Sequence, residues 1–466
     1  MAMMGHRSWR RAGLALCSIA LLAAAVWSGG AAEVEPFRAG DKVCLVGDSI
    51  THGGWYHEFV WLFYLTRFPQ RELRMINCGV CADTAGRALG RLSWDVLAHA
   101  PTVATVMLGM NDFGCGLYGP DKTADRYEKR RRDRIAEHAK SMRKMVGKLK
   151  ESSVRVILLT PSIFDDSAEL KSAKRSGANA GLGVCAENVR VLAAESGTGL
   201  VDFFTIMNRI NRAQQAKDPK FTIVGPDRVH PRLPGHFVMA YQFLKAQGMP
   251  RYVARMVLDA ATGRVTAQAN CELGAVKVEG GGIAFDCLAQ ALPFPVHKGA
   301  RPSLALVPFM AELNREDLVV TGLKAGTYEL AIDEQVVGEY RAADLAAGVN
   351  LAGNEKTPQY RQALKVMSLN GRRRSIEAGA IRDIAAAEHL FMHRTADDPS
   401  DFETNKPFFE KLLAENPKYN IRKRFAMSYL KNKPDEEKNL ARVAELTEKM
   451  YEANAPVRRR FVLRRK

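Results

Sequence analysis

Short, almost wholly apolar runs alternate with amphipathic stretches through the first half of the chain, and that alternation predicts a parallel sheet covered by helices on both faces. The runs span residues 43–46, 73–76, 103–108, 154–159 and 199–202. Their unbroken apolar character fits strands buried from both sides. Between them the apolar spacing predicts helices over 56–66, 85–98, 124–150 and 181–195, with a last one over 233–247. In such a sheet ligands bind beyond the carboxyl ends of the strands, so the residues that follow each run are the ones to inspect for chemistry.

After Pro250 the pattern changes. Short β-branched runs at 265–267, 275–278, 283–285, 304–307, 318–321, 328–332 and 336–340 are separated by Gly, Asn and Asp. Asp333-Glu334-Gln335 reads as a hairpin turn, and the whole stretch predicts an antiparallel, β-rich accessory region over 256–350. Helical periodicity returns at 363–390, 408–413 and 436–451, where Lys433-Pro434-Asp435 supplies a start signal. The expected division is a leader at 1–32, an α/β domain at 33–250, the β-rich region, and a helical, basic region at 351–466.

The chain has 466 residues, too many for one core. At its start Arg7, Arg10 and Arg11 precede an apolar stretch over 12–26, followed by Ser28-Gly29-Gly30-Ala31-Ala32, the order of a secretory signal cut near Ala32. The apolar stretch is shorter than the ~20 residues a spanning helix needs. Export to the periplasm or outside the cell is therefore expected, with no stable membrane insertion. Leu14-Ala15-Leu16-Cys17 is not read as a lipidation site, because its Cys opens the apolar stretch instead of closing it. Net charge is +17, or +14 without the three leader arginines, which favours anionic partners such as an acidic polysaccharide. The runs Lys129-Arg130-Arg131-Arg132 and Arg372-Arg373-Arg374 and the tail Arg458-Arg459-Arg460 with Arg464-Arg465-Lys466 read as solvated faces or a frayed end. No nucleic-acid partner is expected. Of eight cysteines, Cys17 lies in the leader, and Cys271 with Cys287 form the disulfide expected in an oxidising compartment. Cys44 reads as a buried apolar residue, and Cys78-x-x-Cys81 lacks the context of a redox fold.

The chemistry sits after the strands. Gly47-Asp48-Ser49-Ile50 closes the first run, and Asp227-Arg228-Val229-His230-Pro231 follows one domain length later. A serine hydroxyl is a poor nucleophile at neutral pH, so it needs an imidazole to take its proton and a carboxylate to hold that imidazole in one tautomer. Ser49, His230 and Asp227 supply the three, the latter two on one turn. After the second run comes Asn77-Cys78-Gly79-Val80-Cys81-Ala82-Asp83-Thr84, and after the third Gly109-Met110-Asn111-Asp112. The Gly79 N–H, the Asn111 amide and the Ser49 N–H are thus expected to form a three-donor oxyanion hole. Asp48 and Asp112 are read as loop-fixing carboxylates, Asp83 and Thr84 as helix caps, and His52, His57 and His236 as packing or surface histidines.

These four ordered blocks, Gly-Asp-Ser, Asn-x-Gly, Gly-x-Asn-Asp and Asp-x-x-His, resemble those of the SGNH (GDSL-type) esterase and lipase family across residues 41–247. The resemblance implies a three-layer, flavodoxin-like α/β fold with Ser49 as nucleophile, Gly79 and Asn111 as oxyanion donors, and Asp227 with His230 completing the triad. One position departs: Ala82 stands where many members carry a second glycine. The implied activity is hydrolysis of carboxylic esters, and export with the appended β-rich region points to O-acetyl groups on carbohydrate. The alternatives are a lipid ester or thioester hydrolase, or a polysaccharide-binding protein that uses the fold as scaffold. No His and carboxylate cluster has metal-ligand spacing and there is no Gly-rich phosphate loop, so neither metal nor cofactor is expected. The region after 260 is expected to shape substrate access and to be dispensable for the chemistry.

Overall fold

The computed structural model describes residues 31–393, 398, 401–415 and 420–466. Almost all of the expected leader, Cys17 included, lies outside the described residues. No described helix is long and apolar enough to cross a membrane.

Five parallel strands, β1 (Lys42–Gly47), β2 (Arg74–Gly79), β3 (Val103–Met107), β4 (Arg155–Leu159) and β5 (Gly199–Val201), form a sheet in the order β2-β1-β3-β4-β5. Helices cover both faces, so the expected α/β class is the observed one. Each apolar run became a strand because it is buried on both sides: Val43, Leu45, Val103 and Ile157 face the helices Trp55–Arg67 and Leu233–Ala246, while Cys44, Val46, Ala104 and Val156 face Asp125–Glu151. The order reverses at β1, and the crevice that opens there at the carboxyl ends receives Ser49.

Beyond β5 lie two further sheets, with strand orders β13-β10-β6-β7 and β12-β11-β14-β9-β8. They are built from β6 (Tyr252–Asp259), β7 (Arg264–Ala269), β8 (Cys271–Glu279), β9 (Gly282–Ala289), β10 (Arg315–Thr321), β11 (Thr327–Ile332), β12 (Gln335–Arg341), β13 (Val349–Asn350) and β14 (Arg459–Arg465). Met256, Leu258, Leu318 and Val320 of one sheet pack on Phe285, Leu330, Phe461 and Leu463 of the other. The expected turn at Asp333-Glu334 takes φ of 48° and 66°, the paired left-handed values of a tight hairpin.

Several elements differ from expectation. The run at 304–307 is no strand; it closes the 3-10 turn Lys298–Ala305, where Pro302 has no N–H for a ladder. The helix expected over 85–98 breaks at Arg91. Phe203–Gln215, Ile421–Asn432 and β6 were not anticipated, nor was β14, the arginine-rich tail that alternates buried Phe461 and Leu463 between β11 and β9. Cys271 and Cys287, expected to form a disulfide, are free thiols: register sets them opposite Ala289 and Leu273, and their side chains meet only as a hydrogen-bonded pair across the diagonal. The core between the two β sheets lies wholly beyond Pro250, but the first core is not confined to the residues before it. Phe59, Phe63 and Phe237 of the first region share one apolar cluster with Phe294, Phe309, Val366, Leu446 and Met450. The helix Pro358–Ile376 lies on Trp55–Arg67 and continues through π turns at Glu377–Ile381 and Glu388–Met392 behind the carboxyl end of β2.

Candidate active site

β1 ends at Gly47, and Asp48 caps the four-residue helix Ser49–His52 by accepting the Ile50 N–H on Oδ1 at 2.9 Å. The turn is so tight that only glycine fits before it: a Cβ at Gly47 would meet Thr51 Oγ1 at 2.1 Å. Ser49 is thereby placed first in a helix, where its N–H has no intrahelical acceptor. Its Oγ lies 2.8 Å from His230 Nε2, and His230 Nδ1 lies 2.6 Å from Asp227 Oδ2. Because the carboxylate can only accept, Nδ1 carries the proton and Nε2 is left to take one from Ser49.

Asp227 also folds the loop that bears it. Its Oδ1 accepts the N–H groups of Val229 and His230, both at 3.1 Å, so the imidazole and its carboxylate are locked by one Asx turn ahead of the helix Leu233–Ala246. Sequence reasoning assigned no part to Arg228. It is buried at a φ of 68°, and its guanidinium donates to the carbonyls of Asp165 at 2.8 Å, Ala168 at 3.1 Å and Ser172 at 2.9 Å, pinning the loop to the next one.

The bond to His230 and the Val229 and His230 N–H groups outweigh the upward push of partial burial and hold Asp227 at about 2. His230 is raised, first by its bond to Asp227 and against its own desolvation. Burial lifts Asp48 to about 7 despite the Ile50 N–H. Three other histidines move the opposite way: burial lowers His52, takes His57 to about 4 and takes His236 to about 3, so each is neutral at pH 7.

One expected donor must be corrected. The Gly79 N–H is donated to Asn77 Oδ1 at 2.9 Å, and a Cβ at Gly79 would lie 2.2 Å from the backbone nitrogen of His52. Gly79 is there so that β2 can pass under the Ser49–His52 helix. Three residues on, Ala82 holds the left-handed φ of 61°, and among the described residues its N–H has no protein acceptor. Asn111 gives one Nδ2 hydrogen to the Asp83 carbonyl at 2.9 Å, which aims the amide and leaves the second hydrogen. Asp112 Oδ1 accepts the Ala85 N–H at 2.8 Å, as a loop-fixing carboxylate should. Thr84 caps Ala85–Gly90, whereas Asp83 pairs with Arg91 at 2.8 Å.

Behind these loops runs a buried charge network that the sequence did not disclose. Arg91 bridges Asp83 and Asp95, and Arg382 grips both oxygens of Asp95 at 2.7 and 2.8 Å while donating to the Gly79 carbonyl at 3.3 Å. His52 Nε2 meets Asp383 at 3.1 Å. Arg373 joins Glu58 to Glu377, and Glu377 accepts the Asn77 N–H at 3.1 Å. Among the described residues no group of three or more His, Cys, Asp or Glu could hold a metal ion.

Residues 45–237 match the model of the GDSL-like Lipase/Acylhydrolase family. An acetylxylan esterase of Geobacillus stearothermophilus is 24% identical over 225 residues, covering 45% of this chain and 95% of that protein. The solved structure of a gut microbial diltiazem-metabolizing enzyme is 36% identical, with a TM-score of 0.87, and covers 94% of this chain and 100% of its own. Likeness that runs through the sheet, the β-rich region and the helices together marks common descent of the whole: the chain belongs to the GDSL-like lipase/acylhydrolase family and is a carboxylic ester hydrolase.

Proposed function

We propose that this enzyme is exported and removes O-acetyl groups from carbohydrate through Ser49, His230 and Asp227. The observation that carries the mechanism is the continuous chain from Ser49 Oγ through both ring nitrogens of His230 to Asp227, at 2.8 and 2.6 Å. Ser49 Oγ attacks the ester carbonyl carbon while His230 Nε2 takes its proton. The tetrahedral oxyanion is met by the Ser49 N–H, the Ala82 N–H and the free hydrogen of Asn111 Nδ2. Collapse expels the sugar alkoxide, which takes the proton back from His230. Water, deprotonated by the same imidazole, then attacks the acetyl-serine, and acetate leaves.

Two features favour a carbohydrate ester over a lipid. The His230 and Asp227 side chains are 50% and 51% exposed, an open site into which a bulky alcohol part can enter without a lid. The relative from Geobacillus is described as an acetylxylan esterase and matches the part of the chain that bears the site. Acetate release from acetylated xylo-oligosaccharides, set against release of long-chain acids from lipid esters, tests this reading. Faster turnover of the long-chain esters would overturn it.

The pH profile of that assay follows from His230. Only the neutral ring can accept the serine proton, and the bond to Asp227 raises its pKa above the ordinary 6.5. kcat/KM is therefore expected to climb with pH through a midpoint above 6.5. In Asp227→Asn the midpoint should move down, because the group that raised it is gone, and the rate should fall as well. An unchanged midpoint in that variant would mean that another group titrates.

Asn111→Ala separates oxyanion stabilisation from substrate binding. Loss of one donor costs about 2.7 to 4 kcal/mol in the transition state, so kcat should drop roughly a hundredfold to a thousandfold while KM holds. A rise in KM at constant kcat would make Asn111 a ground-state contact.

A further inference from the structure

Beside Asn111 lies an open cleft of about 480 Å³, within the size range of small-molecule sites, lined among the described residues by Lys122, Arg130 and Arg134 and by no acid. Its cations are not a uniform solvated helix face. On the helix Asp125–Glu151, Arg132 pairs with Glu128 at 2.7 Å, whereas Arg130, which lines the cleft, has no carboxylate partner among the described residues. Lys122 reaches in from the facing loop, 5.2 Å from the centroid of the Tyr127 ring, its Nζ ion-paired with the exposed Asp121 at 2.5 Å, a partner that an incoming anion would share or replace.

The walls are fixed before any ligand arrives. Arg131 donates to the carbonyls of Leu117 at 2.6 Å and Lys122 at 2.5 Å, which staples the loop to the helix. Arg134 donates to the carbonyls of Asp112 at 2.7 Å and Asn111 at 2.6 Å, so one cleft cation also holds the proposed oxyanion residue in place. Behind the lining residue Cys115, Arg175 Nη1 lies 2.7 Å from its Sγ. A basic cleft with an aromatic ring, lined in part by the proposed oxyanion residue Asn111, suits a planar anion on a ring, and guanidinium matches carboxylate best.

We infer that this cleft is a subsite for the carboxylate of a sugar acid, so that the preferred substrate is an acetyl ester carried on or beside a uronic acid unit. The inference rests on the proposed role of Asn111 and deepens the carbohydrate reading. An anion held by Arg130 and Lys122 adds charge-assisted hydrogen bonds that a neutral sugar cannot make, which corresponds to a preference of about tenfold.

The test compares acetylated methyl glucuronoside with acetylated methyl glucoside on the full chain. The wild type is expected to favour the uronate in kcat/KM by about tenfold at low salt, with the margin shrinking as ionic strength screens the contact. The double variant Lys122→Gln, Arg130→Gln should abolish the preference through KM. Equal kcat/KM for the two esters in the wild type, or a preference that survives the double variant, would overturn the subsite. If no acetate is released from either sugar, the carbohydrate reading falls, and calorimetry of free methyl glucuronoside with the Ser49→Ala protein decides the subsite alone. Binding that the two glutamines abolish upholds it, and absence of binding removes it.

Discussion

Replacing Ser49 by alanine is expected to lower kcat for ester hydrolysis by about a millionfold, the usual cost of deleting the nucleophile of a serine triad. The residue has no substitute at its position. Asp48 is turned away into the helix cap, and Thr51 Oγ1 faces Tyr56 at 3.2 Å. The fold should not notice the change: the bond to His230 is the one side-chain hydrogen bond Ser49 makes among the described residues, and the cap that starts its helix belongs to Asp48. Acetate release and circular dichroism on the same preparation check both halves. Turnover near that of the wild type would dismiss the Ser49 mechanism altogether, whereas loss of folded signal would mean that Ser49 supports the turn as well.

The second large effect is on stability and lies far from Ser49 in sequence. Arg382 is 3% exposed and holds both oxygens of Asp95, which burial would push up but which Arg382, followed by Arg91, brings down. Arg382→Met leaves that carboxylate buried with half its compensation, and breaking such a pair costs about 3 to 5 kcal/mol. The midpoint of urea unfolding should fall accordingly. Because Arg91 continues the network to Asp83, whose carbonyl aims Asn111, activity should fall in the folded fraction too. Replacing Asp95 by leucine in the same chain should return much of the lost stability, since no charge is then stranded. Equal midpoints for the single and double variants would show that the network adds nothing beyond packing. The same contacts make the region after 260 part of the α/β region's support: a chain ended at Pro250 would lose Arg382 and Glu377 and uncover the apolar face of Trp55–Arg67.

Sequence alone determined what depends on short-range chemistry. The proposed site residues Ser49, Asn111, Asp227 and His230 could be picked out because each sits in a block whose geometry is local: a serine beside a cap, an amide after a strand, a carboxylate three residues before its imidazole. The parallel sheet was legible because strands buried on both faces must be apolar throughout. Only the tertiary structure decided what depends on partners distant in the chain. Gly79 and Ala82 are three residues apart, and which N–H stays free is settled by the Asn77 side chain folding back onto the first. The tail Arg459–Arg465 alternates buried and exposed residues, but its arginines conceal the pattern until β9 and β11 take it in as a central strand. Arg372-Arg373-Arg374 looks like a solvated face, yet Arg373 is 1% exposed and Arg374 lies over Trp55 at 3.8 Å. Of the two carboxylates that make burial of Arg373 tolerable, Glu377 stands one helical turn on, but Glu58 is 315 positions away. A charge in a sequence carries no sign of whether an opposite one will reach it, and desolvation without that partner would have been prohibitive.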